Sequence, residues 1–344
     1  MKSRADSPTT PSNLPQSTDA SDPTSLGSPL RRTAEFVPRP LKTLIRALFG
    51  PAGSWSVAKR SQHASVDIAS RLQEALHRVS QETRQCEEQP IFLLSAGWRS
   101  GSTLLQRMLM EHNRDILIWG EPFDHSNIHD CMANQFRPFT NQWPFERFFL
   151  SKLSGRNLSD EWVANLYPDI DYLLKAHRRF FDVLFGEPAR AAGRSRWGLK
   201  EVRLTIDHAM YFRALYPKCK ILFLYRNPHD AYLSFRRLEA RWFRSWPDDL
   251  VKTPYAFGRH WANTTRGFLG GYHKVNGLVI RYEDLDNPME AERVATYLGW
   301  PISRSSHLQR RDIAESQEKH DSLPRLDRAL LDFATDKIRK DAGY

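Results

Sequence analysis

The stretch IFLLSAGWRSGSTLLQRMLMEH, Ile91 to His112, sets the frame for reading the whole chain. An apolar run, Ile91 to Leu94, leads into two glycines, a group of hydroxyl side chains and a helical stretch reaching about Glu111. Strand, glycine loop, helix is the plan of a phosphate-binding loop, where backbone N–H groups and a helix N-terminus cradle an anion. The usual nucleotide pattern, G-x-x-x-x-G-K-[ST], is not met. Gly97 and Gly101 stand one residue too close, and Ser102 occupies the place of the lysine. Arg99 supplies the loop's cation instead. The glycines let the backbone approach an anion closely. Ser100, Ser102 and Thr103 add hydroxyl donors, and the helix adds its positive end. The expected ligand is phosphate-like. A P-loop kinase-like enzyme is the weaker reading, because both the lysine and a strand ending in a magnesium-binding aspartate are missing.

Outward from this loop the text alternates as an α/β chain. Short strands are expected at Ile116–Trp119, Trp197–Lys200, Ile221–Tyr225 and Leu278–Arg281. Helices are expected at Ile206–Leu215, from Pro228 past Arg237, and at Met289–Leu298, with Pro228 suited to a first helical turn. The region from Phe123 to Gly193 reads as helices and loops. The fold class is therefore α/β, a P-loop-like parallel sheet flanked by helices, with ligands at the carboxyl ends of the strands.

Before Ile91 the chain changes character. Its first 30 residues include 16 Pro, Ser or Thr and few large apolar side chains, so residues 1–36 are expected to be a disordered tail. Residues 37–88 read as a helical lead-in and 89–344 as the main domain. Within the lead-in, Leu41, Leu44, Ile45, Leu48 and Phe49 recur at helical spacing beside Lys42 and Arg46. This segment, 41–49, suits either an anionic membrane surface or docking on the protein's own body. A second helical pattern runs from about Val66 to Arg84.

The chain of 344 residues carries 50 Lys and Arg against 40 Asp and Glu, a net charge of +10 that favours anionic partners. Cys86, Cys131 and Cys219 are odd in number and far apart, which argues against a disulfide framework or a cysteine-built zinc site. Cys219, just before a buried-looking strand, reads as a small core residue. No signal-like or membrane-spanning apolar run is present in the text, so the expectation is a cytoplasmic protein, at most peripherally membrane-associated.

A second motif is ILFLYRNPHDAYLSFRR, Ile221 to Arg237. Arg226 follows a strand and so should emerge at the same edge as the glycine loop. Ser234 lies about two helical turns further on. An arginine fork with a hydroxyl suits a second phosphate.

Together these pieces make the chain resemble the sulfotransferases that use 3′-phosphoadenosine 5′-phosphosulfate (PAPS). That family's 5′-phosphosulfate loop has the form R-[ST]-G-[ST]-[ST], here Arg99-Ser100-Gly101-Ser102-Thr103. Its 3′-phosphate motif is a strand followed by R-x-P-x-D-x-x-x-S, here Arg226 to Ser234. VIRYEDLDNPMEAERVATYLGWP is similar to the family's closing strand–helix unit. The resemblance covers roughly Ile91 to Pro301. An arginine in the loop looks more like the carbohydrate and tyrosylprotein branches than the small-molecule branch.

The resemblance implies transfer of a sulfuryl group from PAPS to a hydroxyl, without a metal, releasing 3′-phosphoadenosine 5′-phosphate (PAP). Glu121, in IWGEPF and 22 residues beyond Arg99, matches the place of a catalytic glutamate and would serve as base. A solvated loop carboxylate is the alternative. Lys200, in WGLKEVR and 26 residues before Arg226, matches a lysine near the bridging oxygen. The family usually has a proline two positions later, where this chain has Val202, and Arg203 is a spare cation for the role. Lys200 could equally be a surface lysine. Gln309-Arg310-Arg311 falls where some members close a loop over the nucleotide, but no motif match supports that role and a solvated charged face is the better reading.

For the acceptor, Arg137, Trp143, Lys175, Arg178 and Arg179 suit a saccharide or acidic glycan, though also ordinary packing; a lipid or a peptidyl tyrosine stays open. His125, His129 and Asp130 are close in sequence but lack a further metal ligand. The competing class is a non-catalytic basic protein that binds nucleic acid or a membrane surface, using aromatics such as Trp242, Trp246 and Trp261. The spread of the cations and the lack of a nucleic-acid motif disfavour it.

Overall fold

Every residue of the strand Ile91–Ser95 (β1) is buried, because helices cover both faces of the sheet it centres. The computed structural model describes residues 68–121, 128–153, 155–237, 251, 253–302 and 323–344. In chain order the elements before the sheet's outer half are α1 (Ile68–His77), α2 (Gln81–Arg84), β1, α3 (Ser102–His112), β2 (Ile116–Trp119) and α4 (Ile128–Asn134). Short 3-10 turns lead to α5 (Ile170–Phe181), a π-helical turn (Asp182–Gly186) and α6 (Glu187–Ala191). Then come β3 (Arg196–Glu201), α7 (Ile206–Leu215), β4 (Lys220–Tyr225), α8 (Pro228–Arg236), α9 (Pro254–Gly271), β5 (Leu278–Arg281), α10 (Pro288–Leu298) and α11 (Arg325–Asp341).

The five strands form one sheet in the order β2-β3-β1-β4-β5, and every neighbouring pair is parallel. Strand alternation divides the core. Phe92, Leu94, Leu199, Ile221 and Phe223 face a cluster with α5, α7 and α9. Ile91, Leu93, Ile118, Leu222 and Leu224 face α3 and α10. Phe92 stacks on Phe212 of α7 with ring centroids 4.0 Å apart, and truncating such a side chain to Ala costs about 3–5 kcal/mol.

This strand order places the site. The chain leaves β1 toward β2 on one side and leaves β4 toward β5 on the other. The carboxyl ends of β1 and β4 therefore flank the crevice where connections diverge, the place at which open parallel sheets bind ligands. Local sequence starts the helices cleanly. Asn227 accepts from His229 N at 2.9 Å ahead of Pro228, and Asn287 accepts from Met289 N ahead of Pro288. The Asn227 cap directly after β4 leaves Arg226 at the sheet edge, and the 3-10 turn Tyr282–Asp284 directly after β5 leaves Tyr282 there.

The expected helix over Val66–Arg84 is two helices in its described part, with Ser80 capping the second. Helices α9 and α11 have no counterpart in the sequence reading. Trp261 of α9, weighed above as a nucleic-acid aromatic, is only 1% exposed and belongs to the core. Cys219 is buried. Residues 1–67, with the segment 41–49, lie outside the described residues, as do Phe123, His125, Trp242, Trp246 and Gln309 to Arg311. Among the described residues no helix is long and apolar enough to cross a membrane.

Candidate active site

Four chain segments meet at the carboxyl edge: the loop after β1, the residues after β2, the end of β3 and the turn after β4. The β1 loop is bent by left-handed residues, Gly97 (φ 91°), Arg99 (φ 61°) and Gly101 (φ 86°). Successive turns of this kind point backbone N–H groups inward as an anion nest. Gly101 also begins α3, with no side chain capping its first turn. A Cβ on Gly101 would collide with the ring of Tyr282, so the site requires glycine for space as well as for backbone conformation.

Not every hydroxyl of the motif faces outward. Ser100 is buried and donates to Gly97 O at 2.9 Å, which fixes the loop's shape and uses its proton internally. Ser102 is 5% exposed, whereas Thr103 is exposed. Ser100, expected among the donor-binding residues, spends its hydroxyl proton on this loop bond.

The two phosphate motifs are joined. Arg99 Nε donates to Ser234 Oγ at 2.9 Å, and Arg226 Nη1 donates to Arg99 O at 3.2 Å. The Arg226 guanidinium lies over the Tyr282 ring, 4.3 Å from its centroid. The Arg226 Nε is buried and has no hydrogen-bond partner among the described residues. A buried, unpaired guanidinium N–H is costly, and an anion accepting from this fork would remove the cost. The residues present therefore fit a phosphate.

On the other side of β1, Lys200 stands one residue before the end of β3, in register with Leu93. Its ammonium is ion-paired with Glu121, just beyond β2. The Lys200 side chain is 7% exposed and that of Glu121 18%, so neither the surface-lysine nor the solvated-carboxylate alternative describes them. Arg203 is committed to Glu201, whose Oε2 accepts at 2.8 Å and whose Oε1 also takes Val202 N at 2.8 Å. Lys200, not Arg203, is the cation paired with Glu121.

Two further residues at this edge escaped the sequence reading. Tyr282 lies between Gly101 and Arg226. His260 of α9 packs its ring over Trp98, 5.3 Å between centroids, and lies against Gly97. For Tyr282 the signal was present, since it immediately follows the β5 strand; His260 had none, because α9 was not recognised.

The proposed acceptor residues are largely engaged elsewhere. Arg178 donates to the carbonyls of Leu215 and Thr83 and ties α5 to α7 and α2. Arg179 pairs with Asp182 and Glu187. Trp143 packs on Phe145 and Phe148, Lys175 lies over Tyr172, and Arg137 bonds Asn134. His129 is buried beside Phe181, and Asp130 pairs with His208. No group of three or more metal-ligating side chains occurs among the described residues. A cavity of about 760 Å³ lies between α1, α7 and α9, lined in part by Leu76, Met210 and Gly270. None of the predicted site residues lines it.

Comparison with solved structures returns sulfotransferases among its matches. The sulfotransferase domain of the Synechococcus PCC 7002 olefin synthase is 17% identical, with 76% of this chain and 98% of that one covered and a TM-score of 0.39. A sulfotransferase from Alicyclobacillus acidocaldarius is 20% identical, covering 72% and 96%, with a TM-score of 0.35. Sulfotransferase STF9 from Mycobacterium avium is 12% identical, covering 80% and 81%, with a TM-score of 0.38. No curated protein matches the chain. The pattern defining the sulfotransferase family matches residues 90–304, a span that holds both phosphate motifs, Glu121 and Lys200. The chain belongs to the sulfotransferase family.

Proposed function

We propose that the protein transfers a sulfuryl group from PAPS to a hydroxyl acceptor, most consistent with a carbohydrate or glycoconjugate, and releases PAP. The observation that carries the donor reading is the joining of Arg99, Ser234 and Arg226 at one sheet edge. Side by side, the two motifs would suit a donor that carries both a 5′-phosphosulfate and a 3′-phosphate. The carbohydrate reading rests on the arginine in the loop.

In this reading the β1-loop amides and Thr103 hold the 5′-phosphosulfate, and Arg226 with Ser234 holds the 3′-phosphate. The acceptor oxygen attacks sulfur while Glu121 takes its proton. The bond from sulfur to the PAP oxygen breaks, and Lys200 and Arg99 compensate the charge left on PAP. A sulfuryl group carries less charge than a phosphoryl group, which suits a site of fixed cations without a metal. The ion pair with Lys200 holds the Glu121 carboxylate beside the cation proposed to compensate the leaving group.

The test is conversion of radiolabelled PAPS by the full-length protein, with glycans, a tyrosine peptide and lipid alcohols offered separately. Label appearing on a glycan, with one PAP formed per transfer, supports the proposal. Label on the peptide or lipid alone would move the acceptor class, and no acceptor-dependent PAP with any of them would remove the activity.

A further inference from the structure

The peptide unit joining Arg226 to Asn227 is clamped at both ends. Its carbonyl accepts from Trp261 Nε1 at 2.8 Å, and its N–H donates to Glu283 Oε1 at 2.9 Å. The orientation of this plane sets where the Arg226 side chain leaves the backbone. The Asn227 side chain cannot substitute for the clamp, because it is spent on capping α8.

The other Glu283 oxygen, Oε2, accepts from the phenol of Tyr344. Tyr344 is itself held firmly. Its ring packs edge-on to Tyr225 at 6.0 Å and beside Trp261 at 6.5 Å, and the Arg281 guanidinium lies 5.7 Å from its centroid. The preceding backbone is bonded too: Arg281 Nη1 donates to Gly343 O at 3.2 Å and Tyr225 OH to Ala342 O at 3.3 Å. Burial and the neighbouring Glu283 push the phenol's pKa well up, so it stays a donor.

We propose that Glu283 and Tyr344 are positioning residues of the donor site, holding the Arg226–Asn227 peptide so that the Arg226 fork meets a 3′-phosphate; this rests on the PAPS reading above. Neither side chain need touch the ligand. Glu283 is a negative charge bonded to the same peptide that presents a cation to an anion. Tyr344 stabilises that charge and fixes its direction, so that Glu283 Oε1 points at Asn227 N–H and not toward Arg226. Removing the phenol frees the carboxylate to compete with the phosphate for the guanidinium.

The test is calorimetric titration of the full-length protein with PAP and with AMP, which lacks the 3′-phosphate. Wild type, Tyr344→Phe, Glu283→Gln and the double variant are compared, with thermal melting run on each. Wild type is expected to prefer PAP. Tyr344→Phe should weaken PAP binding by about tenfold, the scale of one hydrogen bond to a charged group, and leave AMP binding unchanged. In Glu283→Gln the same substitution should have little further effect, because the carboxylate it releases is gone. PAP affinity that stays at the wild-type level in both single variants would overturn the proposal while leaving the donor reading intact. Equal loss of PAP and AMP would also overturn it, as general damage. If wild type binds PAP and AMP equally, the donor reading fails first and takes this proposal with it. Should Tyr344→Phe not fold, Glu283→Gln alone decides, by keeping or losing the preference for PAP.

Discussion

Arg99 Nε donates to Ser234 Oγ at 2.9 Å, a bond that ties the glycine loop after β1 to helix α8. It makes one site of two motifs 135 residues apart in the chain. Ser234→Ala is expected to weaken PAP by about three- to tenfold through the lost hydroxyl, and Arg99→Ala to lower turnover more than affinity. Steady-state kinetics with PAPS as varied substrate check this. Equal losses in kcat for both variants, with KM unmoved, would contradict it.

Gly101 carries two demands at once, a φ of 86° and the space next to the Tyr282 ring. A left-handed non-glycine residue alone costs about 1–2 kcal/mol, and the ring must also move. Gly101→Ala should lower the denaturation midpoint and abolish measurable PAP binding. In Tyr282→Ala the steric part of the penalty is relieved, so Gly101→Ala should cost less stability in that background. Identical penalties in the two backgrounds would show that the contact is immaterial.

Lys200 and Glu121 form a largely buried pair, so single and double substitutions should not add. Glu121→Gln and Lys200→Met are each expected to destabilise by about 1–3 kcal/mol, the cost of leaving a largely buried polar group without its bond. The double variant should be no less stable than either single one. Glu121→Gln should also reduce kcat at least about a hundredfold, the scale of a lost general base, with PAP binding retained. Chemical denaturation and calorimetry on the same preparations separate these effects.

The fold was legible wherever sequence is local. β2, α7 and β5 fall where their apolar runs place them, and Asn227-Pro228 marks the start of α8 as expected. What sequence could not supply is direction and long-range company. Arg178 reads as a cation for an acidic sugar, yet its guanidinium is spent on backbone carbonyls from two other helices. Ser100 belongs to the motif, yet its hydroxyl turns back on the loop. Trp261 reads as an aromatic for stacking, but α9 buries it and gives its N–H to Arg226 O. Tyr344 lies 61 residues beyond Glu283, and no pattern in either segment announces that they bond. Hydrogen-bond partners are set by the packing of whole elements, and the residues alone do not encode them visibly.

Burial also predicts an acid-sensitive fold. It holds His177 at about 4 and His129 at about 3, against 6.5 for a free imidazole. Above pH 6.5 folded and unfolded forms are both neutral at these positions, and neither group adds pH dependence. As pH falls through 6.5, the unfolded imidazoles bind protons that the folded ones refuse. Stability should then fall with pH by about 1.4 kcal/mol per unit for each histidine, down to about 4 for His177 and about 3 for His129. His177→Gln should reduce this slope by about one proton's worth in denaturation measured between about pH 6.5 and 4.5. An unchanged slope would mean that His177 is protonated in the folded protein.

The most direct test of the donor site is calorimetric titration of wild type and Arg226→Ala with PAP, ADP and ATP. The account predicts one-to-one PAP binding to wild type, little response to ADP or ATP, and loss of PAP binding in Arg226→Ala with the melting temperature nearly kept. Equal weak binding of all three nucleotides, untouched by the substitution and abolished by salt, would contradict it and leave only the fold of the family without its donor.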